Sequence, residues 1–327
     1  MAEKGDGIYS LLRKNGIEPS KHLEAFIALN KNKLQPNNGL IVGETYMLPV
    51  TKADTTIVPI SVITKDSMVN TTKQKDVIPS PKNTTIYAIF GKDYELVTKE
   101  SNTLKGAVYY LISGHGGPDP GAIENYKGKL IAEDEYAYDV TLRLARKLLS
   151  NGATVYIIIK DDNDGIRDKA ILEIDYDEVC YPNKPISASQ KIRLQERSKA
   201  VNKLYVKHKG AYQRLIVTHV DSRSKSKNID VFFYHHSKSK SGKQLAQNIH
   251  NTFKQKYAEH QPNRTYSGTV GSRNLYVIKN TLPPMVYIEL GNIKNKKDQK
   301  RILNYKNREA LAKWIYEGLM VDFEGKS

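Results

Sequence analysis

The sequence predicts an α/β fold with a mainly parallel twisted sheet and helices on both faces, extending from about residue 85 to the end of the chain. Short apolar segments typical of buried strands alternate there with longer segments in which apolar residues recur at helical spacing. This alternation favours parallel neighbours, because each helix returns the chain to the start of the next strand. In such sheets, binding residues collect at the carboxyl ends of the strands.

The predicted elements follow one another in a regular order. Strands are expected at residues 107–112, 154–159, 214–218, 229–234 and 286–290, and helices at residues 134–149, 190–208, 242–257 and 308–319. A long segment, residues 161–187, separates the second strand from the second helix. Its run at residues 162–165 lacks the ligand spacing of a calcium loop, so we interpret it as a turn.

The first 84 residues have a different character. Within residues 1–50, apolar residues at helical spacing predict two short amphipathic helices, and residues 40–49 predict a short strand. Residues 51–84 are rich in Thr, Lys, Ser, Asn and Pro without a sustained period, which is typical of a linker. We therefore expect a small domain at 1–50, a linker at 51–84 and the α/β domain at 85–327.

Composition narrows the classes of protein. The 327 residues include 51 Lys and Arg against 35 Asp and Glu, a net charge of +16 that favours an anionic partner such as nucleic acid, acidic lipid or acidic cell-surface polymer. The lone Cys180 excludes an intramolecular disulfide and a cysteine-based zinc finger. No apolar run reaches the roughly 18 residues of a membrane span. Residues 1–6 lack the apolar region of a signal peptide, which predicts either a cytoplasmic protein or a chain whose signal has been removed.

Three polar residues stand at the ends of predicted apolar strands. His115 follows the strand at 107–112 within a glycine-rich segment, His219 ends the strand at 214–218, and Glu289 lies near the end of the strand at 286–290. Strand ends of one parallel sheet meet at one edge, and imidazole is the commonest metal ligand in proteins. The two histidines therefore indicate a metal site rather than two unrelated turns.

A fourth candidate comes from the acidic residues at the start of the helix at 134–149. Acids in a first turn often only complement the helix dipole. At 100° per residue, Glu133 lies near the buried face, whereas Glu135 lies on the far side and is expected to be solvated. Two histidines, one glutamate and an open position form a known catalytic zinc set, with a further glutamate as general base.

Four separated motifs resemble the zinc-dependent N-acetylmuramoyl-L-alanine amidases that cleave bacterial peptidoglycan. They are the GHGGPDPGA segment at 114–122, the glutamate that leads the following helix, the helix with Leu194, Arg197 and Asn202 that precedes the strand ending in His219, and the segment 284–295 around Glu289. Two departures are Asn292, where the family has Phe, and an apparent displacement of the helix that leaves Glu135 open as an alternative to Glu133.

The resemblance implies that His115, Glu133 and His219 bind Zn²⁺ and that Glu289 is the catalytic glutamate. It implies hydrolysis of the amide between N-acetylmuramic acid and L-alanine, with peptidoglycan as the partner of the protein. Residues 1–50 resemble a LysM module, a small βααβ fold that binds glycans containing N-acetylglucosamine, through the segments at 4–9, 29–34 and 39–49.

Basic runs at 223–227 and 238–243 suggest two other classes of protein, a basic nucleic-acid-binding protein and a metallonuclease. Two-metal nucleases favour sites richer in carboxylates, so we expect solvated lysine loops and no nucleic-acid partner. A catalytically silent peptidoglycan-binding protein is a further alternative. We expect a monomer without a transmembrane segment, located in the periplasm, at the cell envelope or outside the cell after removal of a signal peptide.

Overall fold

The computed structural model describes residues 2, 7–15, 17, 19–35, 39–49 and 83–325. The chain divides into two compact units, Met1–Ile78 and Pro79–Ser327, and each is described by itself. Residues 51–82, which make up nearly all of the predicted linker, lie outside the described residues. None of the described helices is long and apolar enough to cross a membrane.

The first unit contains the two predicted helices, α1 (Ile8–Lys14) and α2 (Pro19–Asn30). Their apolar faces meet in a small core that includes Leu12 and Phe26. Asn30 joins the following segment to α2, because its side chain donates to Met47 O at 2.8 Å and accepts from Met47 N at 2.7 Å.

Residues 40–49 were predicted to hold a short strand with a turn: the turn lies at residues 42–43, but the strand is wrong, because these residues form none. Within the described ranges, the backbone-to-backbone hydrogen bonds of this segment with the rest of the chain are those with Ala2, which donates to Glu44 O and accepts from Gly43 N. A single residue of pairing does not make a strand ladder, and residues 3–6 lie outside the described part of the chain.

The second unit alternates strands and helices along the chain. Its elements are β1 (Thr84–Ile86), β2 (Leu96–Thr98), β3 (Ala107–Ser113), β4 (Ile123–Tyr126), β5 (Lys129–Ala132), α3 (Glu133–Ser150), β6 (Thr154–Ile157), β7 (Ile159–Lys160), β8 (Val179–Cys180), β9 (Lys184–Pro185), α4 (Gln190–Lys207), β10 (Tyr212–Asp221), β11 (Phe232–His235), α5 (Lys240–His260), β12 (Thr269–Ser272), α6 (Tyr276–Asn280), β13 (Met285–Asn292), α7 (Lys296–Leu303) and α8 (Tyr305–Glu324).

The central sheet has the strand order β12-β11-β13-β10-β3-β6. All its neighbouring strands run parallel except β11 and β13, which run antiparallel. The α/β fold is therefore confirmed, with a mixed sheet. Strands β11 and β12 thus run opposite to the other four. The reversal begins at residues 222–231, between β10 and β11, because they form no helix that would return the chain to the start of the sheet.

Helices cover both faces of this sheet, as expected. Alternate side chains of one strand point to opposite faces, so Tyr109 and Leu111 of β3 belong to one core and Tyr110 and Ile112 to the other. Helices α3, α5 and α8 pack on the first face, and α4 and α6 pack on the second. The sheet edge that carries the candidate residues is therefore fixed from two sides.

A buried carboxylate holds α3 against the last helix. Asp139 of α3 has no exposed surface, and its Oδ2 lies 2.8 Å from Arg143 Nε and 2.6 Å from Arg308 Nε of α8. On the opposite side of α3, Thr141 Oγ1 lies 2.6 Å from Thr218 Oγ1 of β10. These contacts fix α3 on the sheet and thereby position its first residue, Glu133.

Candidate active site

His115 lies just after β3 in a turn that requires glycine. A Cβ on Gly114 would lie 2.2–2.5 Å from three ring atoms of His219, a separation that real Cβ atoms do not show. His115 itself has a φ of 62°, in the left-handed region that non-glycine residues seldom adopt. The turn thus brings the rings of His115 and His219 together, with 4.9 Å between their centroids.

Glu133 reaches both histidines from the first position of α3. Its Oε1 lies 2.7 Å from His219 Nδ1, and its Oε2 lies 3.3 Å from His115 Nε2. The same carboxylate accepts hydrogen bonds from the backbone N–H groups of Ala122 and Val220, both at 3.0 Å. Burial opposes ionisation, but the contacts with the two histidines outweigh it and hold the pKa of Glu133 well below its usual range.

His115, Glu133 and His219 each offer one potential ligand atom, and these three atoms lie within 4.8 Å of one another. The His219 ring is held by Tyr287 of β13, which stacks on it with 4.5 Å between ring centroids. Burial lowers the pKa of His219, so its ring favours the neutral form that coordinates metals. The sequence predicted these three residues as ligands, and the structure brings them together.

Asp119 orients His115 from the side away from Glu133. Its Oδ2 lies 2.8 Å from His115 Nδ1, so Nδ1 donates to Asp119 and the ring is held with Nε2 towards Glu133. Arg193 forms an ion pair with the same carboxylate, and Arg197 Nη2 donates to the His115 carbonyl at 3.1 Å. Burial lowers the pKa of His115, but the bonds to Asp119 and Glu133 outweigh it and raise that pKa to about 10.

Glu289 stands beside His219 on the neighbouring strand, because β10 and β13 pair with these two residues in register. Its Oε2 is buried and has no hydrogen-bond partner within the described ranges. Burial, followed by repulsion from Glu133 and Asp221, raises the pKa of the Glu289 carboxyl well above its usual range. The site therefore combines three convergent metal-type donors with a carboxyl group that has a high affinity for a proton.

A family model described as N-acetylmuramoyl-L-alanine amidase matches residues 110–320, which include all four of these residues. The chain belongs to this amidase family. The probable cell wall amidase LytH of Staphylococcus aureus is 28% identical over 228 residues, which cover 69% of this chain and 62% of that relative. The match thus spans less than two thirds of the relative's length.

Two solved structures are similar to the amidase unit, as we now call Pro79–Ser327. An N-acetylmuramoyl-L-alanine amidase from Clostridium difficile 630 is 18% identical with a TM-score of 0.50, covering 68% of this chain and 100% of that one. The CwlD amidase of Clostridioides difficile, in a complex with the GerS lipoprotein, is 22% identical with a TM-score of 0.49, covering 66% and 98%. The first of these supports the fold of the amidase unit.

The expectation that Glu135 is solvated is wrong. Its side chain is buried and forms an ion pair with Arg167 Nη2 at 2.9 Å, while its Oε1 accepts from Asp175 N at 3.2 Å. Residues 161–187 of the amidase unit fold over this side of α3, a long-range contact that helix phase does not reveal. Glu135 is absent from the group formed by His115, Glu133 and His219.

Sequence reasoning assigned no role to Asp119. The residue was visible in the glycine-rich segment, four positions after His115, but many turns contain an aspartate. Its contact with His115 Nδ1 depends on the turn geometry between Gly116 and Asp119, whose backbones form an isolated bridge. Asp119 could have been found by asking which carboxylate of that segment is able to orient His115.

Proposed function

We propose that the protein is a zinc-dependent amidase that hydrolyses the bond between N-acetylmuramic acid and the L-alanine of the peptidoglycan stem peptide. The observation that carries this proposal is the convergence of His115, Glu133 and His219 beside the buried, unpartnered carboxylate oxygen of Glu289. Membership of the amidase family supports the choice of the bond that is cleaved.

The donor set fits zinc. Two imidazoles and one carboxylate are the protein ligands of one class of catalytic zinc site, in which a further position would stay open for water or substrate. Glu133 is held in its ionised form, and Asp119 holds the His115 ring with Nε2 towards the other donors. Zinc bound by these residues supplies Lewis acidity, which polarises the scissile carbonyl and makes water a better nucleophile.

Glu289 performs the proton transfers in this proposal. Its carboxylate accepts a proton from the water that attacks the amide carbonyl, and the free Oε2 is the atom available for that proton. The same group then donates the proton to the departing amine of L-alanine. A buried carboxyl with a raised pKa suits both steps, because it holds a proton more firmly than a solvated glutamate does.

The remaining features support a cell-wall setting. A net charge of +16 favours association with the anionic polymers of the cell envelope. For residues 1–50 we propose binding to glycans that contain N-acetylglucosamine, supported by the packed pair of helices α1 and α2 and by the motifs that resemble a LysM module. We accordingly propose that the protein acts at the cell envelope or outside the cell.

The test uses the zinc-loaded full chain with purified peptidoglycan and measures newly exposed amino groups of L-alanine. Glu289→Gln is expected to keep its zinc and to lose about 10²–10⁴-fold in turnover, the usual contribution of a general base. Glu259→Gln, an exposed glutamate of α5, is the matched control and should retain wild-type turnover.

Three results would reject parts of the proposal. Full turnover in Glu289→Gln contradicts the base assignment. Peptidoglycan binding without release of amino ends indicates a silent binding protein. DNA binding without muropeptide release indicates a nucleic-acid-binding protein.

A further inference from the structure

A second group of carboxylates lies behind the candidate active site and shares no residue with it. It consists of Asp134 and Glu135 from the first turn of α3 and Glu178 from the residue before β8. One carboxylate oxygen from each lies within 4.8 Å of the others. The three residues are 1%, 3% and 6% exposed, so solvent does not screen their mutual repulsion.

The charges of this group are not balanced by the described protein groups. Glu135 pairs with Arg167, which also pairs with Asp164, so this cation is shared. Asp134 Oδ1 accepts from the backbone N–H of Glu135 at 2.9 Å, whereas its buried Oδ2 has no partner within the described ranges. Even if Arg167 is counted fully towards this group, the three ionised carboxylates carry two negative charges in excess, and these charges are buried.

We propose that Asp134, Glu135 and Glu178 bind a hard divalent cation, Ca²⁺ in preference to Mg²⁺. Carboxylate oxygens are the ligands of these two ions. Mg²⁺ demands near-ideal octahedral geometry and usually keeps several waters beside one or two carboxylates, whereas Ca²⁺ accepts a flexible geometry with more protein oxygens. Three buried carboxylates that lie close together therefore favour Ca²⁺. A charge of +2 also cancels the two unbalanced negative charges.

The ion would join three parts of the amidase unit. Glu178 Oε2 already accepts from the backbone N–H of Gly117 at 2.6 Å, in the turn that carries His115. Asp134 and Glu135 follow Glu133 directly on α3. Burial raises the pKa of Glu178 to about 8, so the buried charged form of this carboxyl is costly unless a cation lies beside it. The bound cation therefore fixes residues 161–187 against the two segments that supply His115 and Glu133.

The test measures Ca²⁺ binding to the zinc-loaded full chain by titration calorimetry and thermal unfolding. We expect one Ca²⁺ per chain and a rise in Tm of roughly 5–10 °C at a Ca²⁺ concentration about 100 times the Kd. Mg²⁺ is expected to bind more weakly and to raise Tm less. Zinc content is measured throughout, so that displacement of Ca²⁺ or zinc between sites is detected.

The matched variants come from one segment. Glu178→Gln removes a ligand and should abolish the Ca²⁺-dependent rise in Tm, whereas Glu173→Gln, an exposed residue five positions earlier, should leave it unchanged. Absence of Ca²⁺ binding in the wild-type chain would overturn the proposal and indicate that the carboxyl groups share protons instead. This result does not depend on the folding of any variant. An equal Ca²⁺ response in Glu178→Gln would overturn it as well. Neither result bears on peptidoglycan cleavage, which is assayed separately.

Discussion

Asp119→Ala should weaken zinc binding while leaving every proposed ligand in place. Asp119 Oδ2 lies 2.8 Å from His115 Nδ1, and this contact directs Nε2 towards the other proposed ligands. Loss of such an orienting carboxylate typically costs 10–100-fold in metal affinity. Because the side chains of His115 and Asp119 are 24% and 23% exposed, water partly replaces the lost contact. We therefore expect the lower end of this range, about tenfold or 1.4 kcal/mol.

The assay is a competition titration of zinc against a chelator of known affinity, with zinc content measured after dialysis. Asp119→Asn separates orientation from charge, since its amide oxygen still accepts from Nδ1 while its ion pair with Arg193 is lost. Its affinity should lie between those of wild type and Asp119→Ala. Asp93→Ala, an exposed aspartate of the same unit, is the control. Wild-type zinc affinity in Asp119→Ala would refute the reasoning that this bond orients the ligand.

Two further predictions concern the same site. Gly114→Ala should strongly weaken zinc binding, because its Cβ would displace the His219 ring. Gly271→Ala is the control, since its Cβ meets only ordinary contacts at 3.8 Å. Equal zinc content in the two variants would contradict this prediction. The metal-free protein should lose stability as pH rises from about 6.5 to about 10, because folded His115 retains a proton that the unfolded chain has released. Thermal unfolding in chelator at pH 6.5 and 9.5 measures this loss, which His115→Gln should reduce; a Tm that rises with pH would be the opposite result.

The sequence predicted those site residues whose positions follow from the local pattern and the fold class together. His115, His219 and Glu289 each end an apolar segment, and a largely parallel sheet gathers such ends at one edge. Glu133 was selected over Glu135 by helix phase, and the structure brings Glu133 to the histidines. The features that could not be predicted depend on distant contacts. Residues 161–187 bury Glu135, and the helix-free connection before β11 reverses the direction of that strand. Neither feature can be recognised from the spacing of apolar residues in the sequence.

The pairing of strands also explains why Glu289 was recognisable while Asp119 was not. Register places Glu289 opposite His219 once both strands are known, because parallel neighbours advance together. Asp119 belongs to a turn in which the position of each side chain depends on backbone angles that composition does not specify, such as the φ of 62° at His115. Site residues that lie on strands and helices are therefore easier to identify from a sequence than the loop residues that orient them.

Arg308 connects the last helix to the helix that begins with Glu133. Its guanidinium bonds to Asp139 and to the carbonyls of Arg167 and Lys169, so one side chain joins α8, α3 and the segment over the acidic group. A fragment that ends before residue 305 would leave Asp139 with Arg143 as its remaining counter-charge and would remove the Arg308 hydrogen bond to the Lys169 carbonyl. The C-terminal boundary of any active fragment is therefore expected to lie after Arg308, some distance in sequence after Glu289.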